Sequence, residues 1–154
     1  MSQYTFKFAV TDSSIAERSF TLLNFTGQEN ISSLFNFKLL LRSDDLALNE
    51  DEVLNKECRL EIYSQAGTIA PTDPLRVIHG MVNEFEDVEY YPDHTLYRAN
   101  MVPRVWQLGL FETNEVYLDQ SISQTLTVIL EEAGFISSQD FRFSLSRTYR
   151  KWPF

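Results

Sequence analysis

The residues best equipped for chemistry in this chain are carboxylates. Glu84 and Glu86 stand two apart in a run with strand alternation, which puts both on one face. Two acids among many aromatics that can stack on sugars are the raw material of a glycosidase, which works with carboxyls placed across a cleft from one another. A solvated strand face accounts for the pair equally well without any reaction: alternation groups Val82, Glu84, Glu86 and Val88 on one side and Met81 and Phe85 on the other. Metal chemistry has less to stand on. His79 and His94 are the only histidines, fifteen positions apart, with no Cys or His companion at ligand spacing. Cys58 is the only cysteine, so an intrachain disulfide is impossible, and alternation places it with Leu60 and Ile62 as a buried thiol rather than a nucleophile. There is no Gly-x-Ser-x-Gly elbow, glycine-rich phosphate loop, Gly-x-Gly-x-x-Gly or His-Glu-x-x-His. The expectation is therefore no catalytic residue, no metal and no cofactor.

Charge narrows the partners. With 22 acids against 13 bases the net charge is −9, which repels nucleic acid and anionic membrane surfaces alike. The distribution is uneven. Residues 1–140 hold every acid and nine bases, net −13, whereas residues 141–154 hold Arg142, Arg147, Arg150 and Lys151 and no acid, net +4. Such an end either meets an acidic partner surface or balances its own domain, and these four residues are the candidate partner contacts. The N-terminus has no basic region followed by an apolar run, so no secretory signal is read there, and no apolar stretch is long enough to anchor the chain in a bilayer. Cytoplasmic synthesis and folding follow as the default.

These side chains must be carried by strands. The chain has 154 residues, enough for one core without staples, and 14% of it is aromatic, with twelve Phe, seven Tyr and two Trp, a composition that leans towards β structure. Tyr4, Phe6, Phe8 and Val10 alternate with polar residues, and the pattern returns at Phe20–Phe25 up to Thr26-Gly27, and at Phe35, Phe37, Leu39 and Leu41. Cys58–Tyr63 is expected to pair with Arg76–Glu86 across a loop holding Gly67, Pro71, Asp73 and Pro74. The second strand runs to a turn at Tyr91-Pro92-Asp93-His94, and Leu96–Val102 returns from it. Val105–Phe111 reads as a further strand beyond Pro103, and Phe141, Phe143 and Leu145 as a last one. Core is the expected place for Phe6, Phe8, Phe35, Phe37, Phe85, Phe141 and Phe143, while Tyr90-Tyr91 and Trp152-Pro153-Phe154 stay outside that pattern. Helix is scarce: a short one over about 50–54 capped by Asn49, and a main one over about 121–133. The latter opens with a Ser121/Gln124 capping box and ends at Gly134. The fold class expected is mainly β, a small closed or partly open antiparallel barrel with the main helix plugging or flanking it.

Three blocks, in order, also resemble a known family. Phe25-x-Gly27-x-Glu29, followed by Phe35-x-Phe37-x-Leu39-x-Leu41-x-Ser43, is similar to the opening of VgrG proteins. His79-Gly80-Met81-Val82 with Phe85 resembles that family's His-Gly-Ile-Val-x-x-Phe strand, and Tyr97-Arg98-Ala99-Asn100-Met101-Val102-Pro103-Arg104-Val105-Trp106 its Tyr-Arg-Ala-x-Leu-Val-Pro-Arg-Leu-Trp. The resemblance implies a tail-tube-like hub barrel of the type VI secretion spike, related to contractile phage tail hub proteins. It also implies a structural role, with partners in its own copies (a trimer in the full-length protein), an Hcp-like tube protein and later spike segments. Assembly in the cytoplasm followed by export without a signal peptide is implied likewise. The family positions that match are Phe25, Gly27, Glu29, Phe35, Phe37, Gly80, Phe85, Tyr97, Arg98, Pro103, Arg104 and Trp106, all with structural roles. Residues 1–148 are expected to form the barrel domain. Residues 149–154 resemble the approach to the family's next motif, as if one barrel of a pair were present. A phage tail hub remains the alternative of the same class, and a ligand- or carbohydrate-binding barrel that of another.

Overall fold

Alternating apolar residues become six strands: β1 (Tyr4–Asp12), β2 (Ile15–Gln28), β3 (Asn36–Ser43), β4 (Glu57–Ser64), β5 (Arg76–Tyr90) and β6 (Thr95–Val102). The computed structural model describes residues 4–12, 15–64, 73–151 and 153. Every neighbouring pair is antiparallel, in the order β1-β2-β3-β6-β5-β4, and β4 returns to β1 to close a barrel. Closure is what the pattern demands, since each strand then buries one face inside and finds ladder partners on both sides.

Register fixes the interior. Phe8 faces Leu60, Leu60 faces Ile78, and Ala99 is opposite both Leu39 and Phe85, so these rows point inward together. Phe8, Leu39, Leu41, Leu60, Val82 and Met101 are each at most 1% exposed. Phe20 meets Phe8, Phe85 and Tyr97 at 6.0, 6.2 and 6.5 Å between ring centres, and Phe85 stacks on Tyr97 at 4.8 Å. The lumen is thus packed with side chains.

The chain forms two compact units, residues 1–106 and 107–154. In the first, Asn49 accepts a hydrogen bond from the Asp51 amide at 3.2 Å and opens a 3-10 turn, Glu50–Glu52, that delivers Val53 fully into the core. In the second, helix α1 (Ile122–Glu132) opens on the expected capping box. The Ser121 amide donates to Gln124 Oε1 at 2.9 Å, and the positive φ of 81° at Gly134 ends the turn after the helix. No helix among the described residues is long and apolar enough to cross a membrane.

Four expectations change. The strand expected at Val105–Phe111 is a 3-10 helix, Arg104–Leu110: the Pro103 carbonyl accepts from the Trp106 amide at 2.9 Å, starting a tight i to i+3 turn where a ladder was expected. Phe141, Phe143 and Leu145 form no strand beyond one bridge, Ser137 to Phe141, because alternation makes a segment strand-competent while its hydrogen bonds must come from a partner. Phe143 is accordingly exposed and Phe141 half-buried. Val82 belongs to the core and not beside Glu84, because Asn83 is an extra residue between the pairs Val82–Met101 and Glu84–Asn100. That bulge resets the alternation, leaving Met81 on the opposite face from Val82 and turning Phe85 inward. Finally, β2 extends well beyond the predicted Phe20–Phe25.

Candidate functional site

The chemistry-bearing residues do not converge. No group of His, Cys, Asp and Glu among the described residues has metal-site geometry. Cys58 is 1% exposed, and burial, aided by the Glu57 charge, pushes its thiol far above the usual range, so it stays protonated and inert. His79 is exposed on β5. His94 stacks on Tyr91 at 4.5 Å and shares a 2.8 Å hydrogen bond with Asp93, which holds the Asp93 carboxyl below its ordinary value. Tyr90 donates its hydroxyl to Asp87, so both tyrosines of that turn have partners within the chain.

Glu84 and Glu86 share the outer face of β5, as expected, but side by side on one strand and exposed. Glu86 is ion-paired with Arg98 on β6. Two acids beside each other have no facing partner across a scissile bond, so the pair cannot divide acid and nucleophile roles. Around them runs an open groove of about 580 Å³ on the outside of the barrel, lined among others by Lys38, Glu50, Glu84, Glu86, Arg98 and Asn100. Lys38, Asn100 and Glu84 form one cross-strand row over β3, β6 and β5.

The family-motif positions hold the barrel wall together. Phe37 lies over Gly27, its register partner, where a Cβ would come within 2.1 Å of the ring. Phe25 packs on Phe6 and Phe37 at 5.0 and 6.3 Å, and Phe35 on Phe37 at 5.4 Å. Glu29, just past β2, accepts two hydrogen bonds from Arg76 at the start of β5, at 2.6 and 2.9 Å. This tie is invisible in sequence, because nothing in a 47-residue separation announces it. Arg104 approaches Glu57 at 3.8 Å. Arg142, Arg147, Arg150 and Lys151 are all exposed, with Arg147 resting over the Tyr149 ring at 5.2 Å. Residues 65–72 of the long loop, and Trp152 and Phe154, lie outside the described residues.

The named positions lie in the wall of a closed barrel. The phage tail baseplate hub (GPD) family matches residues 28–154. The chain belongs to that family. Among curated relatives, the type VI secretion system spike protein VgrG1c of Pseudomonas aeruginosa is 26% identical over 153 residues, covering 99% of this chain and 20% of its own length. The actin cross-linking toxin VgrG1 of Vibrio cholerae is 22% identical over 152 residues, covering 93% of this chain and 13% of its own. This hub chain thus spans a fifth or less of these relatives. A solved Escherichia coli protein, c3393, described as a type VI secretion component with structural similarity to the T4 bacteriophage tail proteins gp27 and gp5, superposes with a TM-score of 0.76. It is 24% identical and the match covers 97% of this chain and 37% of the other, which establishes the shared fold of the hub.

Proposed function

We propose that this chain is a hub barrel of a type VI secretion spike, adapting a sixfold tube to a threefold needle. The observation that carries the reading is the hub-family match over residues 28–154, laid on a closed barrel with a packed lumen. A ring segment that passes load between tube and needle has to be stiff, and a closed sheet around interlocked aromatic and branched side chains resists deformation. The partners proposed are other copies of the chain, a tube protein and later spike segments. Assembly is proposed to occur in the cytoplasm, with export by the contractile apparatus. The role is mechanical rather than catalytic, in keeping with the inert Cys58 and the side-by-side Glu84 and Glu86.

The test is the oligomeric state of the full-length protein by light scattering, together with co-precipitation of an Hcp-like tube protein. A trimer that retains the tube protein is expected; a stable monomer that does not would overturn the hub reading. A contractile phage baseplate is the second reading, favoured by the description of the matching family itself. Capture of a phage tube protein in place of the secretion one would select it.

A further inference from the structure

Barrel closure leaves half of one strand open. β4 reaches only as far as Met81 along β5, and Val82 is taken up by backbone bonds to Asn55 and Lys56 at 2.7 and 3.0 Å. From Asn83 to Tyr90, β5 is laddered to β6 alone among the described residues, so its other edge offers unpaired backbone donors and acceptors. Along that edge stand Glu84, Glu86, Asp87 and Glu89, all exposed. The outer groove runs beside it, and Asn100 in its lining, 6% exposed, gives its Nδ2 to Asn83 while its Oδ1 has no hydrogen-bond partner. Two copies of this edge cannot pair with each other, since acids would face acids.

The same chain carries the complementary half. Residues 141–148 alternate Phe141, Phe143 and Leu145 with Arg142, Ser144 and Ser146, yet form no ladder. Residues 142–151 are all exposed and carry four bases with no acid. Eight residues on each side span about 27 Å at strand rise.

We propose that residues 141–148 of a second copy add as a strand to the Asn83–Tyr90 edge of β5, with Arg142, Arg147, Arg150 and Lys151 held by the acids of that edge. The contact is heterologous: each copy presents one acidic edge and one basic segment. The inference rests on the hub reading, since it gives the contact between copies a location.

The experiment mixes this chain as Glu86→Cys with a second sample as Ser144→Cys and oxidises the mixture; Cys58 is buried and stays silent. The expected result is a mixed disulfide in large excess over either homodimer. In parallel, self-association is measured at low salt for a chain with all four bases replaced by Glu. It should weaken at least about tenfold, and recover when that chain is mixed with one carrying Glu84→Lys, Glu86→Lys and Glu89→Lys. If the fourfold variant misfolds by circular dichroism, Arg142→Glu alone against the same Lys variant reads the same swap. A statistical mixture of disulfides, cross-linking only when both cysteines share one chain, or association indifferent to the reversals would overturn the proposal. Trimerisation and tube binding by the full-length protein that persist through any of these would leave the hub reading standing and remove only this location.

Discussion

Gly80 and Gly27 look alike in sequence and are constrained by different things. At Gly80 an added Cβ would stand 2.5 Å from the Val102 carbonyl oxygen and 3.0 Å from Met101 Cε. At Gly27 it would stand nearer to an atom, 2.1 Å from Phe37 Cδ1, but that atom belongs to a side-chain ring and not to the backbone. A ring can swing on its χ angles, whereas a carbonyl in the β5–β6 ladder moves only if the barrel wall moves. Gly80→Ala should therefore cost about 2–3 kcal/mol, at the upper end of overpacking, and Gly27→Ala about 1 kcal/mol. Gly109→Ala, with nothing within 4 Å of its added Cβ, serves as the near-neutral control. Urea denaturation of the three variants ranks them. A larger loss at Gly27 would mean that the Phe37 ring, covering a bare strand glycine as aromatic residues do in designed sheets, is locked more firmly than the ladder.

At the level of a strand, β4 shows how an outer face is organised. Arg59, Glu61 and Tyr63 recur at every second residue, and Lys7 of β1, the register partner of Glu61, sits over the Tyr63 ring at 4.9 Å. The Glu61 carboxylate accepts from the Tyr63 hydroxyl at 2.7 Å and from Arg59 Nε at 2.8 Å. The tyrosine hydrogen bond first, and then the Arg59 and Lys7 charges, hold its pKa below the ordinary 4.5 against the opposing effect of burial. A carboxyl depressed on folding adds stability that is complete above the unfolded value and is lost as pH falls through the folded one. The melting temperature of Tyr63→Phe should therefore lie below that of the parent at pH 7, and the gap should narrow as the pH is lowered below 4.5; a gap that stays constant into acid would detach Glu61 from the effect. This face was legible as polar from alternation alone, as were the β4–β5 pairing, the Tyr91–His94 turn and the α1 cap, because each is written within a few residues. What alternation misplaced lies where partners decide: the bulge at Asn83, signalled only by two apolar neighbours in Met81-Val82, and the segment 141–145, which has the pattern of a strand and no ladder to join.

Across the whole barrel, contacts distant in sequence complete the wall. β1 and β4 pair from Tyr4–Ser64 to Thr11–Glu57, and that ladder, like the β3–β6 ladder from Phe37–Met101 to Ser43–Thr95, joins strands far apart in the chain to close the sheet. Leu60 stands at this seam, fully buried, between Phe8 of β1 and Ile78 of β5. Because its core cluster draws on all six strands, a cavity there cannot be absorbed by one element loosening alone. Leu60→Ala should cost about 2–5 kcal/mol, set against a typical total of about 5–15 kcal/mol for a domain, so the barrel remains folded but with much of its margin gone. If closure makes the six strands one cooperative unit, the denaturation midpoint falls while the slope m holds, and hydrogen exchange in β1 and β3 rises together. Faster exchange confined to β4 and its neighbours, with β3 unchanged, would instead show a sheet that opens at the seam. A wall that opens in this way could not carry load around a ring, so the measurement bears on the proposed mechanical role as directly as on the fold.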